Sequence, residues 1–186
     1  MKLKKIKSKL QDSTVIANTL SNSICVETLI DYIYRALAEE YQAWYQYHIV
    51  IPFMKGNERT SIAEFFSKTA DDELNDHAEK LLNRLAQLSD DMCKLACPDD
   101  WSKVAVAKYQ YPACYNVDSL VLQNIKSEIE AVELYTEICD FTKGKDPVTN
   151  RLAKQILTDE QEHLQDLLDF AADLNIDCSI LNIPQL

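Results

Sequence analysis

A glutamate followed seven residues later by a tyrosine occurs at two matching places in this 186-residue chain, as Glu40/Tyr47 and as Glu128/Tyr135. Each copy precedes a second segment with a glutamate and a histidine: Glu73 and His77 after the first, Glu160 and His163 after the second. The surrounding apolar residues recur at helical spacing, so these polar groups belong to amphipathic helices. A carboxylate on a core-facing stripe is costly unless it is paired or bound to a cation. Four helices that each turn an acid inward must therefore pack so that the acids meet.

The rest of the chain suits that arrangement. Only two glycines and five prolines interrupt it, and alternating apolar/polar runs are rare. Both facts predict an all-α protein, and the length suits one domain with a sizeable core. A first helix is expected from about Val26 to Met54, with Leu29, Ile33, Leu37, Trp44, Tyr47 and Ile51 on its apolar stripe. Pro52 should kink or end it. Lys55-Gly56-Asn57 reads as a turn, and a second helix is expected from about Arg59 to Leu88. A third runs from about Asp118 to Thr142. After Gly144, Asp146-Pro147 reads as an N-cap followed by a first-turn proline. The fourth helix is then expected from Pro147 to about Asn175.

Residues 89–116 break the pattern with Pro98, Pro112 and paired aspartates. A short helix near Trp101 to Lys108 is expected there, capped by Asp99 or Asp100. Short links make helices one and two a hairpin, and helices three and four another. The long middle connection can run the length of a bundle, so helices two and three are expected to be parallel, with a single crossover.

Asp159-Glu160-Gln161-Glu162-His163 carries the sharpest chemical signal. Residues three apart share a helix face, so Glu160 and His163 can reach one metal ion. Carboxylate with imidazole suits iron or manganese better than a thiolate set would. Two single-carboxylate helices alternating with two Glu/His helices form the pattern by which a four-helix bundle holds two such ions. Tyr47 and Tyr135 lie seven residues beyond Glu40 and Glu128, the acids expected to bridge, and should bond ligands across the bundle. His48 follows Tyr47 directly and cannot share its direction; it reads as structural or surface.

These motifs resemble the ferritin-like superfamily, especially its bacterioferritin-like and Dps-like (DNA protection during starvation) iron-handling members. The resemblance covers about Val26 to Asn175. It rests on Glu40-Tyr-Gln-Ala-Trp-Tyr-Gln-Tyr47, on Glu128-x-x-Ala131-x-x-x-Tyr135 and on Glu160-x-x-His163. It implies a ferritin-like four-helix bundle in which Glu40, Glu73, His77, Glu128, Glu160 and His163 hold two iron ions per subunit, with manganese or zinc as substitutes. No haem ligand is assigned. The second helix departs from the family's E-x-x-H, because the residue three before His77 is Leu74 and Glu73 is four before. A four-residue step still shares a face, offset by about 40°, and a π-bulge would also bring Glu73 inward.

The resemblance implies a ferroxidase that oxidises Fe(II) with oxygen or hydrogen peroxide in a homo-oligomeric cage, a dodecamer favoured, for iron storage and oxidative-stress protection. Two alternatives stay open. One is a di-iron peroxidase or oxidase without mineral storage; the other is a structural, DNA-binding helical oligomer.

Charge adds a second theme. The net charge is −11, yet the first ten residues hold five lysines and no acid, leaving 14 basic and 30 acidic residues in the remainder. An acidic body repels DNA and draws cations, whereas the lysine arm could bind DNA phosphates. The expected divisions are a basic flexible arm at 1–22, the bundle at 23–176 and a tail at 177–186. No apolar stretch approaches the ~18–20 residues needed to cross a bilayer. Gln11 to Ser23 is too polar for a signal-peptide core, so a cytoplasmic location is expected. Cys25, Cys93, Cys97, Cys114, Cys139 and Cys178 lack a repeated CxxC spacing. They read as reduced thiols, with a zinc or redox role open for Cys93, Cys97 and Cys114.

Overall fold

The computed structural model describes residues 24–88, 112 and 114–181. The lysine arm, the expected helix at Trp101 to Lys108, Cys93, Cys97 and the last five residues of the tail lie outside them. Four long helices make up the described part. α1 is Val26–Val50. α2 comprises Arg59–Asp72, one π turn over Glu73–His77, and Ala78–Leu88. α3 is Val117–Thr142 and α4 is Pro147–Asp173. No helix among these residues is long and apolar enough to cross a membrane.

Local chemistry sets most of the ends. Pro52 closes α1 through a single 3₁₀ turn, Ile51–Phe53, rather than letting it run to Met54. Gly56 (φ 130°) and Gly144 (φ 71°) occupy the two hairpin turns at backbone angles that disfavour other residues. The Asn116 side chain accepts a bond from Ser119 N at the start of α3. Asp146 caps α4 by accepting from Val148 N and Thr149 N, with Pro147 in the first turn. α4 stops at Asp173, short of the expected Asn175. Asn175 takes the left-handed conformation (φ 57°), and Ile176 N bonds back to Ala171 O.

Helix directions follow from who touches whom. Tyr135 meets Glu40 and Tyr47 meets Glu128, so α3 runs against α1. Arg84 meets Asp146 while Asp72 lies opposite His163, so α4 runs against α2. The hairpin makes α2 antiparallel to α1, hence parallel to α3. The turn after α1 is pinned to the start of α3 by Lys55 N to Tyr115 O (2.8 Å) and Val117 N to Lys55 O (3.2 Å). Leu88 and Val117 therefore sit at opposite ends, and the chain between them is the one crossover.

Two apolar layers fill the bundle. Leu29, Ile33, Leu37, Leu81, Leu85, Ile138 and Ile156 form one. Val50, Ile62, Phe66, Leu120, Val121, Ile125 and Leu167 form the other. Burying each such side chain contributes roughly 1.5–3 kcal/mol. Tyr135 belongs to the first layer and Tyr47 to the second, and the charged groups lie between them.

Candidate metal centre

The six residues singled out by the sequence converge at mid-bundle, each at most 7% exposed. α1 supplies Glu40, α2 Glu73 and His77, α3 Glu128, and α4 Glu160 and His163. The π turn spans the four-residue step from Glu73 to His77 and leaves both side chains buried. His77 Nδ1 lies 2.9 Å from Glu73 Oε2, 3.2 Å from Glu160 Oε1 and 3.3 Å from Glu40 Oε2. His163 Nδ1 lies 3.3 Å from Glu160 Oε2 and 3.4 Å from Glu73 Oε1.

The ligand atoms fall into two sets that could each hold a cation. One is Glu40, Glu73, His77 and Glu160; the other is Glu73, Glu128, Glu160 and His163. Within each set the ligand atoms lie within 4.8 Å of one another. Glu73 and Glu160 belong to both, so the shared position falls to the Glu/His helices and not to Glu40 and Glu128 as expected. Glu40 and Glu128 each serve one set and each accept a bond from a tyrosine hydroxyl, Tyr135 and Tyr47 respectively. The cross-bundle role expected of the tyrosines is thus in place. His48 is exposed and stacks on Trp44, consistent with its surface reading.

Protons hold this cluster together. Burial and the charges of Glu160 and Glu73 push the carboxyls of Glu40 and Glu128 well above the usual range. Burial pushes Glu73 upward too, but bonds from His163 and His77 outweigh it and hold that carboxyl low. Burial depresses both imidazoles, yet their carboxylate partners win. His77 is driven strongly upward, mainly through Glu160 and Glu40, and His163 is pushed up to about 11 through Glu160 and Glu73. Burial also raises both tyrosine hydroxyls, which stay donors.

Glu73 Oε1 is the least satisfied of these atoms: it is buried and makes no well-formed hydrogen bond, having only the long 3.4 Å approach of His163 Nδ1. Leaving a buried acceptor so poorly satisfied is costly, and a cation between the carboxylates would supply a better partner. Four carboxylates also balance the charge of two divalent ions once the imidazoles are neutral. The donor set therefore fits a pair of hard or borderline cations.

Such a pair must displace the protons on Glu40, Glu128, His77 and His163. Metal affinity should therefore rise with pH, and binding should release protons. Calorimetry of Zn(II) binding in two buffers of different ionisation enthalpy measures that release; identical heats in both would contradict it.

Sequence reasoning missed the mouth of the site. Lys68, Asp72, Asp76, Asp159, Glu162 and Asp166 line a cavity of about 220 Å³ that reaches His77 and His163 between α2 and α4. Its acidic walls concentrate cations at the site. The available signal was an aspartate immediately before each shared glutamate, Asp72-Glu73 and Asp159-Glu160. A larger groove of about 610 Å³, lined in part by Trp44, His48, Glu64 and Asp71, contains none of the six residues.

A four-helix, one-crossover bundle with buried carboxylates and imidazoles between two apolar layers defines a class of helical metal-binding proteins. The chain belongs to the ferritin-like family, whose domain matches residues 30–176. It is 32% identical over 144 residues to the DNA protection during starvation protein of Pyrococcus furiosus, covering 75% of each chain. Among solved structures it resembles a dodecameric thioferritin, the bacterioferritin-related protein of Bacteroides fragilis, with a TM-score of 0.80 and 33% identity over 89% of this chain and 94% of that one. Dps from Thermosynechococcus elongatus shares the fold, with a TM-score of 0.69 and 17% identity over 77% of this chain and 90% of that one.

Proposed function

We propose that this protein is a ferroxidase, with Fe(II) as substrate at the six-residue centre. The observation that carries this reading is the pair of ligand sets sharing Glu73 and Glu160. Two Fe(II) ions held there can each give up one electron. Hydrogen peroxide takes both with two protons and becomes two waters; oxygen taking both becomes peroxide. The four carboxylates favour the higher charge of the product ions, and the apolar layers keep bulk water out. The acidic mouth supplies a route for Fe(II).

The wider biology belongs to the same proposal: a homo-oligomeric shell, a dodecamer favoured, storing oxidised iron in the cytoplasm and limiting oxidative damage. The dodecameric assembly of the Bacteroides fragilis protein supports the shell. The proposed divisions are residues 1–22, 23–176 and 177–186. A DNA contact through the lysine arm makes its own prediction. Deleting residues 1–10 should abolish binding while leaving Fe(II) oxidation intact, and binding by the full chain should fall steeply with salt. Gel-shift titrations check both points, and unchanged binding by the truncated chain would refute the contact.

The test of the central reading is anaerobic Fe(II) loading followed by oxygen or peroxide, with Glu160→Ala/His163→Ala as control. Saturable oxidation near two irons per subunit, lost in the control, is expected. Retention of many more irons supports storage, and release after each turnover supports an oxidase or peroxidase. Oxidation no faster than in the control would overturn the assignment.

A further inference from the structure

Two aspartates outside the six-residue set face the outer nitrogens of the histidines. His77 turns Nδ1 inward to the carboxylates and Nε2 outward, where Asp159 Oδ2 lies 3.3 Å away. His163 also turns Nδ1 inward, but its Nε2 lies 3.8 Å from Asp72 Oδ2, beyond hydrogen-bond reach. The two aspartates are otherwise closely matched. Their side chains are 41% and 40% exposed. Each directly precedes a shared glutamate, and each faces the histidine of the opposite helix. Asp76 also approaches His77 and Asp159, but its carboxylate is taken up by Lys80.

A neutral imidazole has a single lone pair, and the bond made by one nitrogen decides which nitrogen carries it. An acceptor at Nε2 keeps the proton there and leaves the Nδ1 lone pair facing Glu40, Glu73 and Glu160. We propose that Asp159 is a positioning residue that fixes this tautomer and ring orientation of His77. The position formed by Glu40, Glu73, His77 and Glu160 is thereby the tighter of the two, while Asp72 adds only charge to the mouth. The inference rests on the two-cation reading of the centre. It predicts an inequality between the two positions that the six ligands, three carboxylates and one imidazole in each set, do not themselves contain.

The test uses Zn(II) and the full chain, with calorimetry for affinity and ¹⁵N spectra of labelled histidine for the tautomer. Wild type should bind two zinc ions per chain with unequal affinity, with His77 protonated at Nε2. Asp159→Ala should weaken the tighter ion by roughly 10- to 100-fold, the usual cost of losing such a partner, and should mix the His77 tautomers. Asp159→Asn keeps an oxygen acceptor and should restore the tautomer and most of the affinity. Asp72→Ala should change neither. Equal weakening by Asp159→Ala and Asp72→Ala would mean that only charge matters and would overturn the proposal. So would an unchanged tautomer and affinity in Asp159→Ala. Wild type that binds no zinc, or full zinc retention by Glu160→Ala/His163→Ala, would strike down the two-cation reading and the positioning role together.

Discussion

Glu73→Gln should cost the protein both cations, whereas Glu40→Gln should cost it one. Glu73 contributes to both ligand sets, and Glu40 to only one. The glutamine is nearly isosteric, so the change removes charge and one acceptor without opening a cavity. Loss of a partner outside the metal shell already weakens metal sites by roughly 10- to 100-fold, so loss of a shared ligand should exceed ~100-fold at each position. Zn(II) titration should give two ions for wild type, one ion, the weaker of the two, for Glu40→Gln, and none at the same concentrations for Glu73→Gln. Equal stoichiometry in the two variants would show that the carboxylates are not shared as the geometry indicates.

The same cluster should trade stability for binding. Glu128 is buried, and its carboxyl is raised well above the ordinary range by burial and by the charges of Glu160 and Glu73. A raised folded-state value means that folding disfavours the ionised form, so stability is lost as pH rises above the unfolded value of 4.5. Glu128→Gln removes that penalty and retains an oxygen to accept the Tyr47 hydroxyl. The metal-free variant should melt higher than metal-free wild type at neutral pH, and added Zn(II) should reverse the order. A lower melting temperature for the metal-free variant would contradict the account.

Much of this was legible in the sequence, because helix periodicity and short turns leave few choices. The four segments, their apolar stripes and the Asp146-Pro147 start of α4 follow from local rules. The four-residue step from Glu73 to His77 was legible as a departure that either an ordinary helix, offset by about 40°, or a π turn could accommodate, and the chain adopts the π turn. The sharing pattern was not legible. Whether Glu40 or Glu73 lies between two cations depends on the rotation of each helix against its neighbours, which a single-helix pattern leaves open. The mouth was hidden for a related reason. Asp72 and Asp159 look like ordinary solvated acids until α2 and α4 are placed antiparallel, when each comes to face the other helix's histidine. Arg84 was equally silent, because its partner Asp146 is 62 residues away in sequence.

That contact sets the second large effect. Asp146→Ala should destabilise the metal-free protein by about 3–5 kcal/mol, the usual result of leaving a buried charge without its partner, with the lost helix cap adding about 1 kcal/mol. Arg84 is 4% exposed and Asp146 1%, so water cannot replace the bond. Arg84 Nη2 donates to Asp146 Oδ2 at 2.7 Å, and Nε donates to Thr149 Oγ1 at 2.8 Å. Asp146 accepts the backbone N–H groups of Val148 and Thr149 through its other oxygen. One carboxylate thus starts α4 and ties it to the last turns of α2 across the bundle. Burial raises its pKa, but Thr149 and Arg84 more than compensate and hold it below the ordinary 3.8. The folded value is depressed, so this contribution is present above pH 3.8 and lost only as pH falls through the lower folded value. Arg84→Met removes the cation but leaves the cap, and should cost less than Asp146→Ala. Urea unfolding at fixed subunit concentration ranks the two. If Asp146→Ala costs no more than a surface substitution, the lock contributes nothing and packing alone must hold this end of the bundle.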